Sequence, residues 1–355
     1  MATDWTKYSW NDFLDKTKDK DIVIWGCGEI ASEVVYLLEK IRHIAYFVDR
    51  DLSKIGTDFY GRKIKLPDDV FDGKSDYVVL ICSLYLTDIA GELERYGINE
   101  YFSAFFMMRK DLKNEIMTKI PSKELILELK SILSDKRSVQ IVDKIIEKRQ
   151  TGNIDYSDIM TKEEYFLDEI FTFTDKEIYV DAGAFDGDTV LGFIKKVREF
   201  KKVYSIEADK NNFDKMLLRL QLAEQVYGKD KINCFNAALA DYTGKISFLS
   251  LGNESSKVNK IKLDNGSKLD CMTLDSVVED ATYIKMDIEG SELDALKGAE
   301  KLIKSKKPKM AICIYHRSED LWQIPAYIHT LVPEYKMFIR HHGNIYYDTV
   351  LYVTL

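Results

Sequence analysis

The strongest constraint on the fold is a pattern that occurs twice along the chain. An apolar run ends in a glycine turn, a stretch with helical spacing follows, and a second apolar run then ends in a carboxylate. Asp49 follows Gly26 by 23 residues in the first half, and Glu207 follows Gly183 by 24 residues in the second half. This order is typical of parallel sheets covered by helices, in which an acid at the end of the second strand can bind a ribose. We therefore predict two Rossmann-like α/β units in series.

These patterns divide the chain into three parts. We predict a small Rossmann-like domain over residues 1–108, a helical connector over 109–170 and a larger α/β domain over 171–355. The connector has Leu and Ile at helical spacing and lacks the Gly/Ser/Pro-rich tracts of a flexible linker. In the larger domain the pattern predicts strands at 178–182, 203–207, 232–236, 246–249, 283–288, 310–315, 335–340 and 348–354, with helices at about 187–199, 211–225, 291–304 and 319–331.

Charge and cysteine content narrow the class of protein. The chain of 355 residues has a formal net charge of −8, whereas nucleic-acid-binding proteins normally have a basic excess. Its five cysteines are scattered without a C-x-x-C pair, as is typical of thiols in a reducing compartment. No apolar run approaches the roughly 18 residues that span a bilayer, and the first residues lack the features of a signal peptide. We expect a cytoplasmic protein that acts on a small molecule or glycan, with no nucleic acid and no stable membrane insertion; a homo-oligomer is compatible with these features.

The glycine turn of the second half is unusually acidic. In YVDAGAFDGDT, Asp181 ends the strand, Gly183 and Gly187 form the turn, and Asp186 and Asp188 lie within or beside it. A pyrophosphate would meet this charge at close range, and two unit charges about 4 Å apart repel by about 4 kcal/mol at an effective dielectric constant near 20. A nucleoside that carries positive charge and no phosphate fits better, and S-adenosylmethionine is such a ligand. The last residues, EYKMFIRHHGNIYYDTVLYVTL, predict a terminal antiparallel hairpin around HGN, which suits a methyltransferase better than a dehydrogenase.

Several sequence blocks resemble, in the same order, those of the FkbM-type S-adenosylmethionine-dependent methyltransferase family. The similarity covers about 165–355, preceded here by the extra Rossmann-like domain, and the most specific block is KMDIEGSELDALKGAE. The resemblance implies a class I methyltransferase sheet, S-adenosyl-L-methionine as cofactor, and O-methylation of a hydroxyl on a sugar, glycan or polyketide. The blocks are VDAGAFDGDT, VYSIEAD, TLDSV, IKMDIEGSELDALKGAEKLI and MAICIYH.

The expected cofactor residues follow the carboxyl ends of the strands, where open α/β sheets bind ligands. Asp181, Gly183 and Gly187 match the cofactor turn of the family, and Glu207 matches its ribose acid. The glycines also suit an ordinary turn with positive φ, and Asp241 also suits a turn residue in ADYTG. The complete predicted set is Asp181, Gly183, Gly187, Glu207, Ala208, Asn236, Ala237, Asp241 and Asp287.

The expected catalytic residues are Asp287, Glu289 and His316. Asp287 and Glu289 belong to the acidic block of the family, although they also suit the N-terminal cap of the following helix. His316 follows the fifth strand, and a histidine with a pKa near 6.5 can take a hydroxyl proton at neutral pH. We predict no metal ligand, although paired acids bind a metal in some O-methyltransferases. Asp287 is the expected partner of Lys285, which lies within a strand.

The first half carries a weaker signal. IWGCGEIASEV places Gly26, Gly28 and Ala31 close to a dinucleotide-binding pattern, with Asp49 at the distance of a ribose acid. The unit is short for a complete dinucleotide domain and resembles small N-terminal domains of some sugar-modifying enzymes. It therefore predicts either a scaffold or a site for NAD or a nucleotide-sugar. A sugar-modifying enzyme that uses this domain, or a non-catalytic scaffold, is the alternative to a methyltransferase.

Overall fold

A computed structural model of the protein shows two compact units. The structure describes residues 10–72, 77–83, 85–104, 120–151, 156–249, 257–258 and 267–355. The first unit comprises Met1–Thr118, Ile145–Asp158 and Asn344–Tyr346. The second unit comprises Lys119–Lys144, Ile159–Gly343 and Tyr347–Leu355.

The first unit contains a six-stranded sheet with Rossmann-like order. Every pairing is parallel except the short hairpin at one edge. Its central strands are continuous apolar runs, as a sheet covered on both faces requires. The strands are β1 (Asp21–Trp25), β2 (Ile44–Val48), β3 (Asp58–Phe59), β4 (Arg62–Lys65), β5 (Tyr77–Ile81) and β6 (Tyr101–Ser103), in the order β3-β4-β2-β1-β5-β6, and the helices are α1 (Trp10–Lys16), α2 (Glu29–Leu38), α3 (Pro67–Phe71) and α4 (Leu86–Arg95).

The described part of the expected connector is mainly helical. It holds α5 (Lys123–Ile132), α6 (Lys136–Thr151) and a 3₁₀ turn at Ser157–Ile159. Ser122 caps α5, because its side chain accepts a hydrogen bond from Leu125 N. The residues of this segment divide between the two units. The domain boundaries at 108 and 170 therefore stay a prediction.

The second unit contains a seven-stranded sheet and a smaller four-stranded sheet. Its strands are β7 (Ile178–Ala182), β8 (Lys202–Glu207), β9 (Ile232–Asn236), β10 (Ala238–Leu239), β11 (Gly244–Leu249), β12 (Lys257–Val258), β13 (Ser267–Met272), β14 (Tyr283–Met286), β15 (Lys309–Cys313), β16 (Lys336–His341) and β17 (Thr349–Thr354). Its helices are α7 (Asp188–Val197), α8 (Lys210–Tyr227), α9 (Leu274–Val277), α10 (Glu292–Lys297), α11 (Glu300–Lys306) and α12 (Asp320–Leu331).

The large sheet has the strand order of class I methyltransferases. The order is β16-β17-β15-β14-β7-β8-β9, and β17 is antiparallel to both of its neighbours while the other pairings are parallel. The predicted class I sheet and its C-terminal hairpin are confirmed. The strand order reverses between β7 and β14, so the carboxyl ends of these strands define the edge where a ligand is expected.

An aromatic cluster supports the sheet under this reversal point. Tyr179 on β7 stacks on Phe193 of α7 at 4.5 Å and on Tyr283 of β14 at 5.3 Å between ring centroids. Such stacked pairs stabilise by about 0.5–1.5 kcal/mol beyond their buried area. They fix β7, β14 and α7 relative to one another beneath the turn.

Two features differ from the sequence-based expectation. The helix expected at 291–304 is divided into α10 and α11 at Gly298, where a Cβ would lie 2.1 Å from the Ala240 carbonyl oxygen. The small sheet, ordered β10-β13-β11-β12, was expected only as the strand at 246–249. Its other strands are very short or polar and carry little periodicity. Among the described residues, no helix is long and apolar enough to cross a membrane.

Candidate active site

The turn after β7 depends on two glycines. Gly183 has a φ of +81°, and a Cβ there would lie 1.7 Å from the Asp287 carbonyl oxygen. Gly187 has a φ of +86° and precedes α7, and a Cβ there would lie 3.0 Å from Met216 Cγ. Only glycine adopts this conformation readily at such close approach. The turn therefore brings the backbone after β7 against the end of β14.

Glu207 ends β8 with its carboxylate against the same turn. Its Oε2 accepts a hydrogen bond from Phe185 N at 2.9 Å, and its Oε1 accepts one from Asp209 N at 2.7 Å. Burial raises the pKa of the Glu207 carboxyl to about 7, although both hydrogen bonds oppose the increase. An acid in this place and orientation has the position of a ribose ligand in Rossmann-like folds.

Asp181 is wholly buried and faces Lys285. Lys285 Nζ lies 3.2 Å from Asp181 Oδ1 and donates a hydrogen bond to the Gly183 carbonyl at 2.6 Å. Burial raises the pKa of Asp181, and the charge of Lys285 opposes that increase. The expectation that Asp287 is the direct partner of Lys285 is wrong. Residues 181 and 285 are paired across β7 and β14, whereas β14 ends at Met286 before Asp287.

The turn is less negative than its sequence indicates. Arg219 Nη1 lies 2.5 Å from Asp186 Oδ1, and Lys285 balances Asp181. Asp188 is exposed at the start of α7. The prediction that the three turn acids together repel phosphate therefore needs correction, because Arg219 on α8 and Lys285 on β14 neutralise two of them.

The residues after β8 and β9 lie together at the ligand edge. Asn236 Nδ2 donates to the carbonyls of Glu207 at 2.9 Å and Ala208 at 3.1 Å. Ala237 is buried, and its N–H donates to the Glu207 carbonyl at 3.1 Å. Asp241 is exposed beyond β10. A contact of Asp241 with adenine stays a prediction.

The three predicted catalytic side chains meet beyond the ends of β14 and β15. His316 Nε2 lies 3.4 Å from Asp287 Oδ1 and 3.7 Å from Glu289 Oε2. His316 Nδ1 lies 2.8 Å from Oε1 of Glu292, a wholly buried residue of α10. Glu292 Oε1 also accepts a hydrogen bond from Ile288 N at 2.9 Å. Sequence reasoning missed Glu292 as a site residue, although it lies in the block KMDIEGSELDALKGAE.

The carboxylates change the expected chemistry of His316. Burial lowers the pKa of the ring, but Glu292, Asp287 and Glu289 outweigh burial and raise the pKa to about 9. The imidazole of the ligand-free protein therefore carries its proton at neutral pH. The role of His316 as the base stays a prediction.

Two tyrosine hydroxyls face Asp287. Tyr165 donates to Asp287 Oδ2 at 3.1 Å, and the Tyr315 hydroxyl lies 3.5 Å from Asp287 Oδ1. Burial raises the pKa of Asp287, but the positive charges of Lys285 and His316 outweigh it and hold the pKa below its usual range. Tyr165 lies in the segment expected to be connector, and no local pattern indicated its role.

Glu164 is another acid beside Asp287 that the sequence did not indicate. Its pKa is raised to about 8 by burial, with further contributions from the charges of Asp348 and Asp287. Its Oε1 is buried without a hydrogen-bond partner among the described residues. A neutral carboxyl therefore lies near the ionised Asp287 at neutral pH.

The histidines at the end of β16 are engaged by protein groups. His341 is buried, and its Nδ1 lies 2.8 Å from Thr349 Oγ1. His342 Nδ1 lies 3.1 Å from the Thr161 carbonyl, and its Nε2 lies 2.8 Å from the Tyr352 hydroxyl. The sheet topology places both residues at the ligand edge, where their ring nitrogens contact Thr349, Thr161 and Tyr352.

One family model matches most of the second unit. Residues 181–346 match the methyltransferase FkbM domain. This chain carries an FkbM methyltransferase domain. The chain is also similar to the crystal structure of methyltransferase FkbM from Methylobacillus flagellatus KT, at 26% identity over 94% of this chain and 90% of that chain, with a TM-score of 0.64. The match to the FkbM domain supports a methyltransferase, and the family indicated by the sequence blocks is confirmed.

Two other solved structures are less similar to this chain. An rRNA methylase from Streptococcus thermophilus is 18% identical over 51% of this chain and 86% of that chain, with a TM-score of 0.31. Fibrillarin from Aeropyrum pernix, in complex with natively bound S-adenosyl-L-methionine, is 8% identical over 52% of this chain and 70% of that chain, with a TM-score of 0.33. Residues 18–102 match a family model described as C2185-like, N-terminal. No curated protein sequence matches the chain.

The domain that precedes the FkbM domain also has a strand-end acid that accepts a hydrogen bond from a glycine turn. Gly26 has a φ of +100°. Asp49 Oδ2 accepts a hydrogen bond from Cys27 N at 2.8 Å, as Glu207 does from the turn after β7. Lys54 Nζ lies 3.1 Å from the same Asp49 oxygen. The smaller unit thus has a glycine turn and a strand-end acid that already pairs with Lys54.

Proposed function

We propose that the protein is an S-adenosylmethionine-dependent O-methyltransferase that acts on a hydroxyl of a sugar, a glycan precursor or a related natural product. The observation that carries this proposal is the position of Glu207 beside the Gly183–Gly187 turn, which packs at Gly183 against the backbone carbonyl of Asp287. The carboxyl edge of this class I sheet would thus be lined by Glu207 as the ribose ligand, by the Gly183–Gly187 turn and by Asp287.

The residues at this edge fit a nucleoside with a sulfonium group. Glu207 would accept the ribose hydroxyls, and the backbone of the Gly183–Gly187 turn would face the amino acid portion. Asn236, Ala237 and Ala208 would border the base, with Asp241 as a candidate for its amino group. Asp188 and Asp287 keep a negative potential at the edge, which favours a cation over a diphosphate.

The chemical step needs an aligned oxygen and an acceptor for its proton. When bound, S-adenosylmethionine supplies a methyl group by in-line displacement at its sulfonium carbon. Asp287 or Glu289 would receive the hydroxyl proton as the acceptor oxygen forms its bond to carbon. His316 would hold these carboxylates in place. Tyr315 would lie beside a sugar ring.

Ligand-induced stabilisation tests the cofactor. A ligand at a hundredfold excess over its Kd stabilises a protein by about 2.7 kcal/mol. We expect S-adenosylhomocysteine to raise Tm, and Glu207→Gln to remove most of the effect. Glu177→Gln is the matched control, because Glu177 is equally buried but precedes β7, at the opposite edge of the sheet, where it binds Thr174 N and Lys309. This variant should lower Tm and retain the response to the ligand.

Product analysis tests the acceptor. The protein is incubated with isotopically labelled S-adenosylmethionine and a panel of sugars and nucleotide-sugars. Mass spectrometry then locates the label in the products. We expect the label as an O-methyl ether. A methylated nitrogen or carbon would contradict the O-methyl assignment while leaving methyl transfer intact.

The smaller unit supports a second candidate function. Its Gly26 turn and Asp49 suit NAD or a nucleotide-sugar, although Lys54 already pairs with the acid. A response of Tm to NADH or UDP-glucose, lost in Asp49→Asn, would support this alternative. A response to none of the ligands would favour a non-catalytic scaffold.

A further inference from the structure

The cluster around His316 holds more negative charge than one imidazolium balances. Asp287, Glu289 and Glu292 lie 2.8–3.7 Å from its ring nitrogens. A fourth acid near this cluster, Asp320, already accepts a hydrogen bond from Arg317 N at 3.0 Å. A divalent cation would compensate this excess charge better than a single proton.

The two ring nitrogens face different surroundings. Nδ1 lies 2.8 Å from Oε1 of Glu292, which is wholly buried and also binds Ile288 N. Nε2 faces Asp287 and Glu289, whose side chains are about one-quarter exposed. In metal sites, a histidine typically offers one nitrogen to the ion and the other to a carboxylate that fixes the ring. Glu292 has the position of that carboxylate.

The separations suit a shared ion better than direct hydrogen bonds. Nε2 is 3.4 Å from Asp287 Oδ1 and 3.7 Å from Glu289 Oε2, which exceeds the usual N–H···O range of about 2.7–3.2 Å. Two atoms that are each about 2.1 Å from one ion lie about 3.0 Å apart at a right angle and about 3.4 Å apart at a tetrahedral angle. The group in which one ligand atom of each residue lies within 4.8 Å of the others comprises Asp287, Glu292 and His316, and Glu289 lies outside this group, 3.7 Å from Nε2.

Unsatisfied polar atoms point to a missing ligand. Nε2 of His316 makes no hydrogen bond to a described residue, although the ring is more than nine-tenths buried. Oε2 of the wholly buried Glu292 also lacks a partner among the described residues. Buried polar atoms are normally paired. Glu289 has a φ of +56°, an uncommon conformation for a residue other than glycine, and such strain is often found at ligand sites.

We propose a divalent-cation site in which His316 Nε2 and Asp287 are the ligands, Glu289 lies beside them, and Glu292 holds the ring through Nδ1. Carboxylates suit Mn²⁺ and an imidazole suits transition-metal ions, so this mixed set favours a transition-metal ion, for which Mn²⁺ is the probe. The exposed side of Asp287 and Glu289 leaves coordination positions for water or for an acceptor hydroxyl. Holding that hydroxyl is a role that rests on the proposed O-methylation, whereas ion binding does not depend on it.

Electron paramagnetic resonance of Mn²⁺ tests the site without an activity assay. Chelator-treated full-length protein is titrated with Mn²⁺, and the fall in the signal of the free ion gives the stoichiometry and Kd. Pulsed measurements on the bound ion detect a coordinated imidazole nitrogen. We expect one Mn²⁺ per chain with a nitrogen coupling.

Variants separate the ligands from their surroundings. His316→Gln should remove the nitrogen coupling and most of the binding. Glu292→Gln should weaken Mn²⁺ binding by about 10–100-fold, as is typical of groups that orient a ligand. Glu300→Gln is the matched control, because this exposed acid of α11 pairs with Lys304 outside the cluster. Its Mn²⁺ titration should equal that of the wild type, and circular dichroism checks that each variant is folded.

The outcomes distinguish this site from the proposed function. Wild-type protein that does not bind Mn²⁺, or binds it without nitrogen coupling, overturns the metal site whatever S-adenosylhomocysteine does. Mn²⁺ bound with nitrogen coupling in a protein that S-adenosylhomocysteine does not stabilise supports the metal site and contradicts the proposed function. Nitrogen coupling that persists in His316→Gln would also overturn the ligand assignment.

Discussion

Lys285 Nζ lies 3.2 Å from Asp181 Oδ1, and the two side chains are 3% and 0% exposed. Lys285 also donates a hydrogen bond to the Gly183 carbonyl. The pair joins β14 to β7 where the strand order reverses, directly beneath the glycine turn. The charge of each residue is compensated by the other, so the pair fixes the base of the proposed cofactor site.

Removal of one member of this pair should strongly destabilise the protein. Lys285→Met leaves a buried carboxylate without its cation, and the free energy of unfolding should fall by about 3–5 kcal/mol. The double variant Lys285→Met, Asp181→Leu removes both charges and should recover much of that loss. Urea denaturation measures both effects. A double variant that is less stable than Lys285→Met would show that charge compensation is not what the pair provides.

Gly183→Ala should disrupt the turn. The new Cβ would meet the Asp287 carbonyl oxygen, and alanine disfavours a φ of +81°. We expect a loss of about 3 kcal/mol or more in the free energy of unfolding and a loss of S-adenosylhomocysteine binding. Gly192→Ala is the control, because Gly192 lies inside α7 and its Cβ would make only an ordinary contact, 3.5 Å from Phe166. That change should be neutral or stabilising by up to about 1 kcal/mol.

Cofactor binding should strengthen as pH rises through 7. Glu207 accepts ribose hydroxyls best as a carboxylate, and burial raises its pKa to about 7 in the ligand-free protein. Below that pKa, a proton competes with the ribose, so the Kd for S-adenosylhomocysteine should be about tenfold higher at pH 6 than at pH 8. Isothermal titration calorimetry across this range provides the measurement. In Glu207→Gln the Kd should be higher and should change little with pH; an equally steep profile in that variant would assign the titration to another group.

Sequence reasoning was most successful where the signal is local. The apolar run that ends at Asp181, the glycine turn and the acid at Glu207 predicted the first strands of the larger sheet, and the HGN turn predicted the terminal hairpin. The strand order came from the family resemblance. Sequence reasoning failed where partners come from distant parts of the chain. Arg219 neutralises Asp186 from a different helix, and Tyr165 reaches Asp287 from a segment with no site pattern.

The chemistry of His316 shows a related difficulty. Its place after the fifth strand is evident in the sequence, but its pKa depends on three carboxylates. Two of them, Asp287 and Glu289, were recognised as site residues, whereas Glu292 was counted only as part of a helix. Its buried contact with Nδ1 appears only when α10 is packed against the end of β15, so the sequence predicted the position of His316 but not its protonation state.

Tyr165→Phe should impair catalysis more than folding. The Tyr165 hydroxyl donates to Asp287 Oδ2 at 3.1 Å, and a hydrogen bond to a charged group contributes about 1.5–3 kcal/mol. Loss of this contact should lower kcat by about 10–100-fold if Asp287 is oriented by it. Tyr335→Phe is the control, because the Tyr335 hydroxyl binds the Pro308 carbonyl. It should lower Tm with little effect on kcat, and equal kcat losses in the two variants would argue against a specific role for Tyr165.

His342 should make the protein less stable in acid. Burial lowers the pKa of its ring to about 4, well below the usual value for histidine. Its Nδ1 faces the Thr161 carbonyl and therefore donates, so Nε2 accepts from the Tyr352 hydroxyl in the neutral ring. The unfolded chain binds the proton more readily, so the free energy of unfolding should fall as pH decreases from about 6.5 to 4. The lowered pKa corresponds to a loss of about 2–3 kcal/mol over this window.

The pH dependence of the variant His342→Gln isolates this contribution from that of other groups. Glutamine does not titrate, so urea denaturation should show a free energy of unfolding for His342→Gln that falls less steeply than that of the wild type between pH 6.5 and 4. His43→Gln serves as the control, because the His43 side chain is 71% exposed beside Asp21 and belongs to the first unit. Its profile should follow that of the wild type much more closely. If wild type and His342→Gln lose stability in parallel, the ring is not held neutral by Thr161 and Tyr352, and acid sensitivity must come from the carboxylates of the fold.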